Sequence, residues 1–284
     1  MWIADGWKDY ELLDCGGGEK LERWDKQILV RPDPQAIWET DHKNPGWRQA
    51  NARYSRSSTG GGHWDKHKLP EQWPIRYRDL CFQVKPMNFK HTGLFPEQAA
   101  NWDFAMDKIR NAGRPIRVLN LFAYTGAASL AAKAAGADVT HLDSVRQVVT
   151  WAKGNMENSG LDNIRWVVED ALKFARREAK RGNVYQGIIL DPPAYGHGPD
   201  GEKWKLDECL NDMLKCVSAI LAPTDSFMVL NLYSNGFSAV LGETVVRQNF
   251  CLKTGFKEIQ SGELVLTDSY GKRLPLSIVV RLSR

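Results

Sequence analysis

The chain has 284 residues, 25% charged and 43% hydrophobic, a globular composition that excludes a disordered chain. Its net charge is +4, no apolar stretch approaches the roughly 18 residues needed to span a bilayer, and five cysteines without C-x-x-C spacing argue against a disulfide framework or a zinc finger. Met1-Trp2-Ile3-Ala4-Asp5-Gly6 has neither a basic nor an apolar leader region, so a soluble, reduced, cytoplasmic protein of about two domains is expected.

Residues 1–84 read as a small β-rich region of short strands and turns. Tyr10–Leu13 and Gln27–Val30 are short apolar runs separated by Gly16-Gly17-Gly18, and Arg31-Pro32-Asp33-Pro34 ends the second because proline donates no ladder hydrogen bond. Ser57-Ser58-Thr59-Gly60-Gly61-Gly62 reads as a loop tip. Charge is unevenly spread: residues 1–41 sum to −5, 42–78 to +6 and 79–284 to +3. The basic stretch holds Lys43, Arg48, Arg53, Arg56, Lys66, Lys68, Arg76 and Arg78, interleaved with Trp47, Tyr54, Trp64, Trp73 and Tyr77. Cations attract phosphates and flat rings stack on bases, so RNA is the expected partner of 42–78; a solvated loop region is the alternative. His63-Trp64-Asp65-Lys66-His67 spaces two imidazoles four apart, but with glycines before it and one local carboxylate it is not read as a metal site.

Residues 85–284 form the second expected domain. Glu97–Asn111 reads as a helix. From Ile116 onward strands and helices alternate: strand Ile116–Leu121, helix Ala127–Ala135, strand Ala137–Leu142, helix Val145–Asn158, strand Ile164–Val168, helix Ala171–Arg181, strand Gly187–Leu190, helix Lys205–Leu221, strand Ser226–Leu232 and helix Ala239–Phe250. Phe256–Gln260 and Leu276–Leu282 close the chain as two strands with no helix between them. The alternation predicts an α/β doubly wound, mostly parallel sheet, and the closing hairpin predicts one antiparallel strand in it.

Ligands of open α/β sheets lie at the carboxyl ends of the strands. Four successive strand ends place Asn120, Asp143, Asp170 and Asp191 at intervals of 23, 27 and 21 residues, near one βα unit each. Asp170 could instead cap its helix. The first turn, Asn120-Leu121-Phe122-Ala123-Tyr124-Thr125-Gly126, lacks the glycine-rich pyrophosphate fingerprint, which disfavours a nicotinamide cofactor. Asp143 suits the two hydroxyls of a ribose. In Asp191-Pro192-Pro193-Ala194-Tyr195-Gly196 a carboxylate and rigid proline carbonyls can accept hydrogen bonds from an amino group, and Tyr195 can stack on a base.

The segments NLFAYTG (120–126) and DPPAYG (191–196) resemble motifs of the S-adenosylmethionine-dependent methyltransferases that include the large-subunit ribosomal-RNA cytosine-C5 and guanine methyltransferases. Thr92-Gly93-Leu94-Phe95-Pro96-Glu97-Gln98 is similar to a further segment of that family, which packs beside the cofactor. The resemblance covers about residues 88–235. It implies a Rossmann-like class I methyltransferase sheet with S-adenosyl-L-methionine as cofactor. It implies that Thr92, Phe95 and Gln98 lie beside the cofactor, that Phe122, Ala123, Tyr124, Thr125 and Gly126 surround its methionine part, that Asp143 and Ser144 hold the ribose, and that Asp170 and Ala171 hold the adenine. Asp191, Pro192, Pro193 and Tyr195 are the candidate catalytic residues. Ala99 stands where the family has an arginine after Gln98. The cytosine-C5 branch needs a nucleophilic cysteine just after the fifth strand, where this chain reads Asn231-Leu232-Tyr233-Ser234-Asn235. The expectation is therefore methylation of a base of RNA, most simply ribosomal RNA, without a catalytic cysteine and without a metal. A methyltransferase of a small molecule or protein, and an inactive RNA-binding relative, are the alternatives.

Overall fold

The computed structural model describes residues 1–57, 61–233, 236–250 and 258–284. The chain divides into two units: Trp2–Ala99 with Leu264–Leu276, and Ala100–Glu263 with Ser277–Arg284 and Met1. The division falls at 99/100 and not at the expected 84/85. The intervening segment is held to the first unit, with Lys85 N donating to Thr92 O, Trp64 Nε1 to Met87 O and Arg31 Nη1 to Lys90 O.

In the first unit β1 (Trp2–Ile3) pairs with Leu264 and Val265. Strands β2 (Tyr10–Gly16), β3 (Glu19–Trp24) and β4 (Gln27–Pro32) form an antiparallel meander, and after the single turn α1 (Gly46–Gln49) come β5 (Ala52–Arg56) and β6 (Gly62–Lys66). The five strands make one sheet in chain order, with β4 and β5 parallel. A hairpin of β7 (Trp73–Tyr77) and β8 (Leu80–Val84) completes the unit. Ser58–Gly60 of the expected loop tip lie outside the described residues.

The sheet rests on a buried ion pair that apolar pattern reading does not find. Arg31 grips Glu22 through Nε and Nη2 at 2.6 and 2.7 Å, Tyr10 Oη donates to the same carboxylate at 2.8 Å, and the guanidinium lies over the Trp24 ring. Burial alone raises the Glu22 pKa. The charges of Arg31 and Lys20 and the donated hydrogen bonds outweigh it and hold the group at about 2.

The structure corrects the base-stacking expectation for 42–78. Strand alternation turns Tyr54, and Trp73 with Tyr77, inward, and α1 buries Trp47; all four are core residues. Trp64 is half-buried and spends its N–H on the carbonyls of Met87 and Phe89. Of the cations, Arg76 lies on the outer face of β7, and Arg48 in α1, Arg56 and Lys66 at the ends of β5 and β6, and Lys68 and Arg78 beyond strand ends are exposed.

The second unit starts in helix α2 (Ala99–Asn111). A 3-10 turn, Pro96–Gln98, takes the place of the first expected helical turn, as is common at helix N-termini. The alternation then follows the expected spans closely: β9 (Arg117–Leu121), α3 (Ala127–Ala134), β10 (Asp138–Asp143), α4 (Arg146–Asn158), β11 (Arg165–Val168), α5 (Ala171–Arg181) and β12 (Gly187–Leu190). An unforeseen hairpin, β13 (Tyr195–His197) and β14 (Lys203–Lys205), precedes α6 (Leu206–Ile220), β15 (Phe227–Leu232) and α7 (Ala239–Phe250). Strands β16 (Glu258–Thr267) and β17 (Arg273–Ser283) end the chain; residues 251–257, which include the start of the expected strand Phe256–Gln260, lie outside the described residues.

The sheet order is β16-β17-β15-β12-β9-β10-β11. Strands β9, β10, β11, β12 and β15 are parallel and β17 runs antiparallel to β15, as the helix-free close of the sequence predicts. The tip of the closing hairpin belongs to the first unit. Strands β12 and β15 are buried along their whole length, and Phe174, Tyr185, Met213, Leu214 and Phe250 fill the core from the helices and loops. Among the described residues no helix is long and apolar enough to cross a membrane.

The Glu22 pair makes acid stability testable. With a folded pKa near 2 against an ordinary 4.5, its contribution is complete above about pH 4.5 and is lost as pH falls toward 2. Glu22→Gln leaves Arg31 buried without its counter-charge, so urea unfolding at neutral pH should register a loss of about 3–5 kcal/mol. The gap between variant and wild type should narrow below about pH 4.5; a gap that does not change with pH contradicts the pairing.

Candidate active site

The loops leaving the carboxyl ends of β9, β10, β11 and β12 are tied to one another by hydrogen bonds. After β9 the chain makes a tight turn in which Phe122, Tyr124 and Gly126 all adopt left-handed φ angles of 57°, 49° and 91°. At Gly126 a side chain would also collide with Ala152 of α4, its Cβ falling 2.9 Å from the alanine's. The turn is stapled by Ala123 N to Leu142 O at 3.0 Å and by Asn155 Nδ2 to Thr125 O at 3.0 Å.

Asp143, at the end of β10, organises this turn. Its Oδ2 accepts from Tyr124 N and its Oδ1 from Val145 N, each at 2.9 Å, and its backbone carbonyl accepts from Glu169 N after β11. Burial raises the Asp143 pKa above the ordinary value, against the backbone N–H groups of Val145, Tyr124 and Ser144, which favour the anion. The two carboxylate oxygens are held by backbone donors only and retain acceptor capacity, which is the chemistry a vicinal diol requires.

Asn120 is buried one residue before the end of β9. Its Nδ2 donates to Ser129 Oγ at 2.9 Å, and Oγ lies 3.0 Å from His141 Nδ1. Burial lowers the His141 pKa to about 3, so the ring is neutral at physiological pH. The amide plane of Asn120 is thus set by two residues that sequence reading did not single out. Asp170 adopts the helix-capping role weighed as its alternative: its Oδ1 accepts from Lys173 N at 2.8 Å at the start of α5, and Ala171 behind it is buried.

Asp191 follows β12. Its backbone N–H reaches Leu121 O of β9 at 3.4 Å, and its Oδ1 accepts from Asn231 Nδ2 at 2.8 Å. Asn231 Oδ1 in turn accepts from Ser277 Oγ at 2.8 Å, so β15 and the antiparallel β17 together aim the carboxylate. Asn231 was noted in sequence only for not being a cysteine. Pro192 is buried and Pro193 exposed, and the Pro193 carbonyl is engaged by Trp204 Nε1 at 2.7 Å. Trp204 also packs on Phe122, ring centres 4.8 Å apart, locking the DPP segment to the first turn. Tyr195 begins the hairpin and is 58% exposed.

The other expected cofactor residues belong to the first unit. Thr92 is fully buried and its hydroxyl has no hydrogen-bond partner among the described residues. Phe95 lies against His91 with ring centres 5.2 Å apart, and Gln98 ends the 3-10 turn, its N–H donating to Phe95 O. Cys209 and Cys216 on α6 pack against the core, as expected for the buried side of that helix.

Comparison with known proteins bears on this arrangement. A family profile described as S-adenosylmethionine-dependent methyltransferase matches residues 44–271. The solved structure of a methyltransferase of that dependence from Agrobacterium tumefaciens is 37% identical, with a TM-score of 0.93, over 99% of this chain and 92% of that one. Ribosomal RNA large subunit methyltransferase K/L of Shewanella frigidimarina is 29% identical over 154 residues, 53% of this chain and 21% of the relative. Ribosomal RNA large subunit methyltransferase I of Aeromonas salmonicida is 33% identical over 111 residues, 38% of this chain and 27% of the relative. The matched segments thus span about a quarter of the length of these two relatives. With most of its length matched by the family and one solved member aligned almost end to end, the chain belongs to the S-adenosylmethionine-dependent methyltransferases.

Proposed function

We propose that the protein methylates a base of RNA, ribosomal RNA in the first instance, and that it does so without a catalytic cysteine. S-adenosylmethionine, the family's cofactor, supplies an electrophilic methyl group. The residues present fit it: Asp143 offers two oxygens for the ribose hydroxyls, Ser144 lies beside it, the turn Phe122–Gly126 carries no glycine-rich pyrophosphate cradle, and Asn120 is held rigidly below the turn. Asp170 and Ala171 serve the adenine side, with Asp170 also capping α5. For Thr92, Phe95 and Gln98 a place beside the cofactor is what the family resemblance implies.

The observation that carries the acceptor side is the chain Ser277–Asn231–Asp191. It aims the carboxylate, which as an anion can accept hydrogen bonds, together with the Pro192 carbonyl, from an amino group on a base. Tyr195 stacks on that base, and Pro193, through Trp204, keeps the loop rigid. Such positioning supplies much of the barrier reduction in a displacement reaction. The named function of the ribosomal-RNA relatives and the exposed cations of 42–78 favour RNA as acceptor; with their aromatic neighbours buried, those cations act on phosphates alone.

Two substitutions separate the halves of the site. Asp143→Ala, with Asp143→Asn to control for the lost backbone contacts, should weaken S-adenosylmethionine binding tenfold or more by calorimetry, about 1.5–3 kcal/mol per lost charged hydrogen bond. Asp191→Ala should keep cofactor affinity within a few-fold and abolish transfer of labelled methyl to total RNA from a strain lacking the gene. Unchanged affinity in the first, or near-normal turnover in the second, removes the assignment.

The absence of a cysteine in 231–235 motivates a further test. Each Cys→Ala variant, Cys251 included, should retain methyl transfer, measured by the same label. A folded but inactive variant, or a covalent RNA adduct on gels, restores cytosine-C5 chemistry.

A further inference from the structure

The β13–β14 hairpin follows the DPP segment directly and has two unlike faces. Its register pairs Tyr195 with Lys205, Gly196 with Trp204 and His197 with Lys203. Directly opposed residues of an antiparallel pair share a face, and neighbours along a strand alternate. Trp204 is buried against Phe122 and the Pro193 carbonyl, so Tyr195, His197, Lys203 and Lys205 all face the other way, and all four are exposed. A two-stranded hairpin is marginal by itself. Here Trp204 anchors its inner side, Leu206 N to Ala194 O closes its base, and Lys173 grips Asp200 and Glu202 at its tip at 2.9 and 3.1 Å.

The outer face is aromatic and cationic. Tyr195 Oη lies 3.1 Å from His197 Nε2, and the rings meet edge-on at 89° with centres 5.1 Å apart, a rigid pair held in solvent. The tip carboxylates are already neutralised by Lys173. Lys205 is shared with Asp207 and Glu208, and Arg176 with Asp212. Lys203 and Lys180 form no ion pair among the described residues. Between the hairpin and α5 runs an open groove of about 530 Å³, lined among others by Lys173, Arg176, Lys180, Lys203 and Trp204. Lys203 therefore belongs both to the aromatic face and to the groove.

We propose that this surface docks the RNA strand flanking the acceptor nucleotide, with a neighbouring base on His197, beside the Tyr195 ring that takes the acceptor base, and phosphates at Lys203 and Lys180. The proposal rests on the RNA-methyltransferase reading above. The occupant is single-stranded, because paired bases have no free faces to stack on side chains, whereas an unpaired strand offers rings and phosphates together. The hairpin starts four residues after Asp191, so a strand held there delivers its adjacent nucleotide to the acceptor loop. An acidic protein segment would satisfy the lysines but would not use the ring pair.

The test is fluorescence anisotropy of the full chain with a labelled, mixed-sequence single-stranded RNA of about 20 nucleotides, across about 50–300 mM KCl. The double reversal Lys180→Glu with Lys203→Glu should weaken binding about tenfold or more near 100 mM KCl and reduce the log–log salt slope by about one to two. His197→Ala should weaken binding roughly fivefold or more without changing the slope, the signature of lost stacking. Both variants should bind S-adenosylmethionine by calorimetry like the wild type, which shows them folded. If the wild type binds RNA and both variants keep its affinity and slope, the hairpin is not the docking surface and the RNA reading stands. If the wild type takes up S-adenosylmethionine but binds no RNA at the lowest salt, both fail. If polyglutamate of equal length competes as well as RNA, the surface belongs to an acidic protein and the proposal is overturned.

Discussion

The reversal of strand order between β9 and β12 is the constraint from which the site follows. From β9 the chain builds outward through β10 and β11, then returns to lay β12 and β15 on the other side. Right-handed crossovers place α3 and the chain leaving β12 on opposite faces, so the carboxyl ends of β9 and β12 part and leave a crevice. The ladder between them is still joined at its last rung, Asp191 N to Leu121 O, and beyond it the two loops go separate ways. Polar groups delivered there must find partners, and each carboxylate finds them in the neighbouring strand's loop: Asp143 in the turn after β9, Asp191 in the amide of β15. The wholly buried β12 and β15 cannot slide without stripping core contacts, so the strand pair that holds Asp191 is fixed in register.

Charge is handled differently in different parts of the chain. In the first unit, Glu22 is buried with cations and its proton is expelled. At the end of β10, Asp143 is half-buried with no cation paired to it among the described residues, and three backbone N–H groups partly offset a desolvation that raises its pKa. A carboxylate held by peptide dipoles alone keeps hydrogen-bonding capacity for a neutral hydroxyl, which an arginine partner would take up. Cations are instead distributed over α5, the β13–β14 hairpin and the strands and turns of 42–78. In the proposed function, cofactor recognition therefore depends weakly on salt and RNA recognition steeply, because only the latter releases counterions.

The alternation of the second unit was legible because its elements carry local signals. Asp170 before α5 and Gly182 after it, the latter left-handed at φ 67°, bound that helix at both ends, and Gly187–Leu190 is an unbroken apolar run. The elements that escaped reading lack such signals. Strand β3 buries Lys20 and Glu22 beside Leu21, so its pattern resembles a charged turn until Arg31 and Asp33 are seen beside it. Hairpin strands of three residues are too short for any period to show. Asn231 and Ser277 are 46 residues apart and meet only because β17 returns antiparallel to β15. The aromatics of 42–78 misled because composition does not record which face of a strand a residue occupies; Trp73-Pro74-Ile75-Arg76-Tyr77 alternates cleanly, and its rings fall on the inner face.

In the proposed function the described thiols bear on the chemistry of the acceptor. A pyrimidine C5 must first be made nucleophilic by covalent addition, which needs a thiolate at a strand end. Burial pushes Cys15 up to about 12 and raises Cys216, while Cys81 is buried in β8 and Cys209 packs on the core from α6. None of these four follows a strand of the parallel sheet. In the proposed function the acceptor atom must then carry its own lone pair, as an amino group or ring nitrogen does. Such an atom becomes more acidic as the methyl carbon arrives. A carboxylate aimed by Asn231 suits that change, since a hydrogen bond to Asp191 strengthens as positive charge grows on the attacking nitrogen. The same carboxylate would gain nothing from a carbon acceptor without a polar hydrogen to donate, so the Asp191–Asn231–Ser277 chain and the cysteine-free strand end point to one class of acceptor.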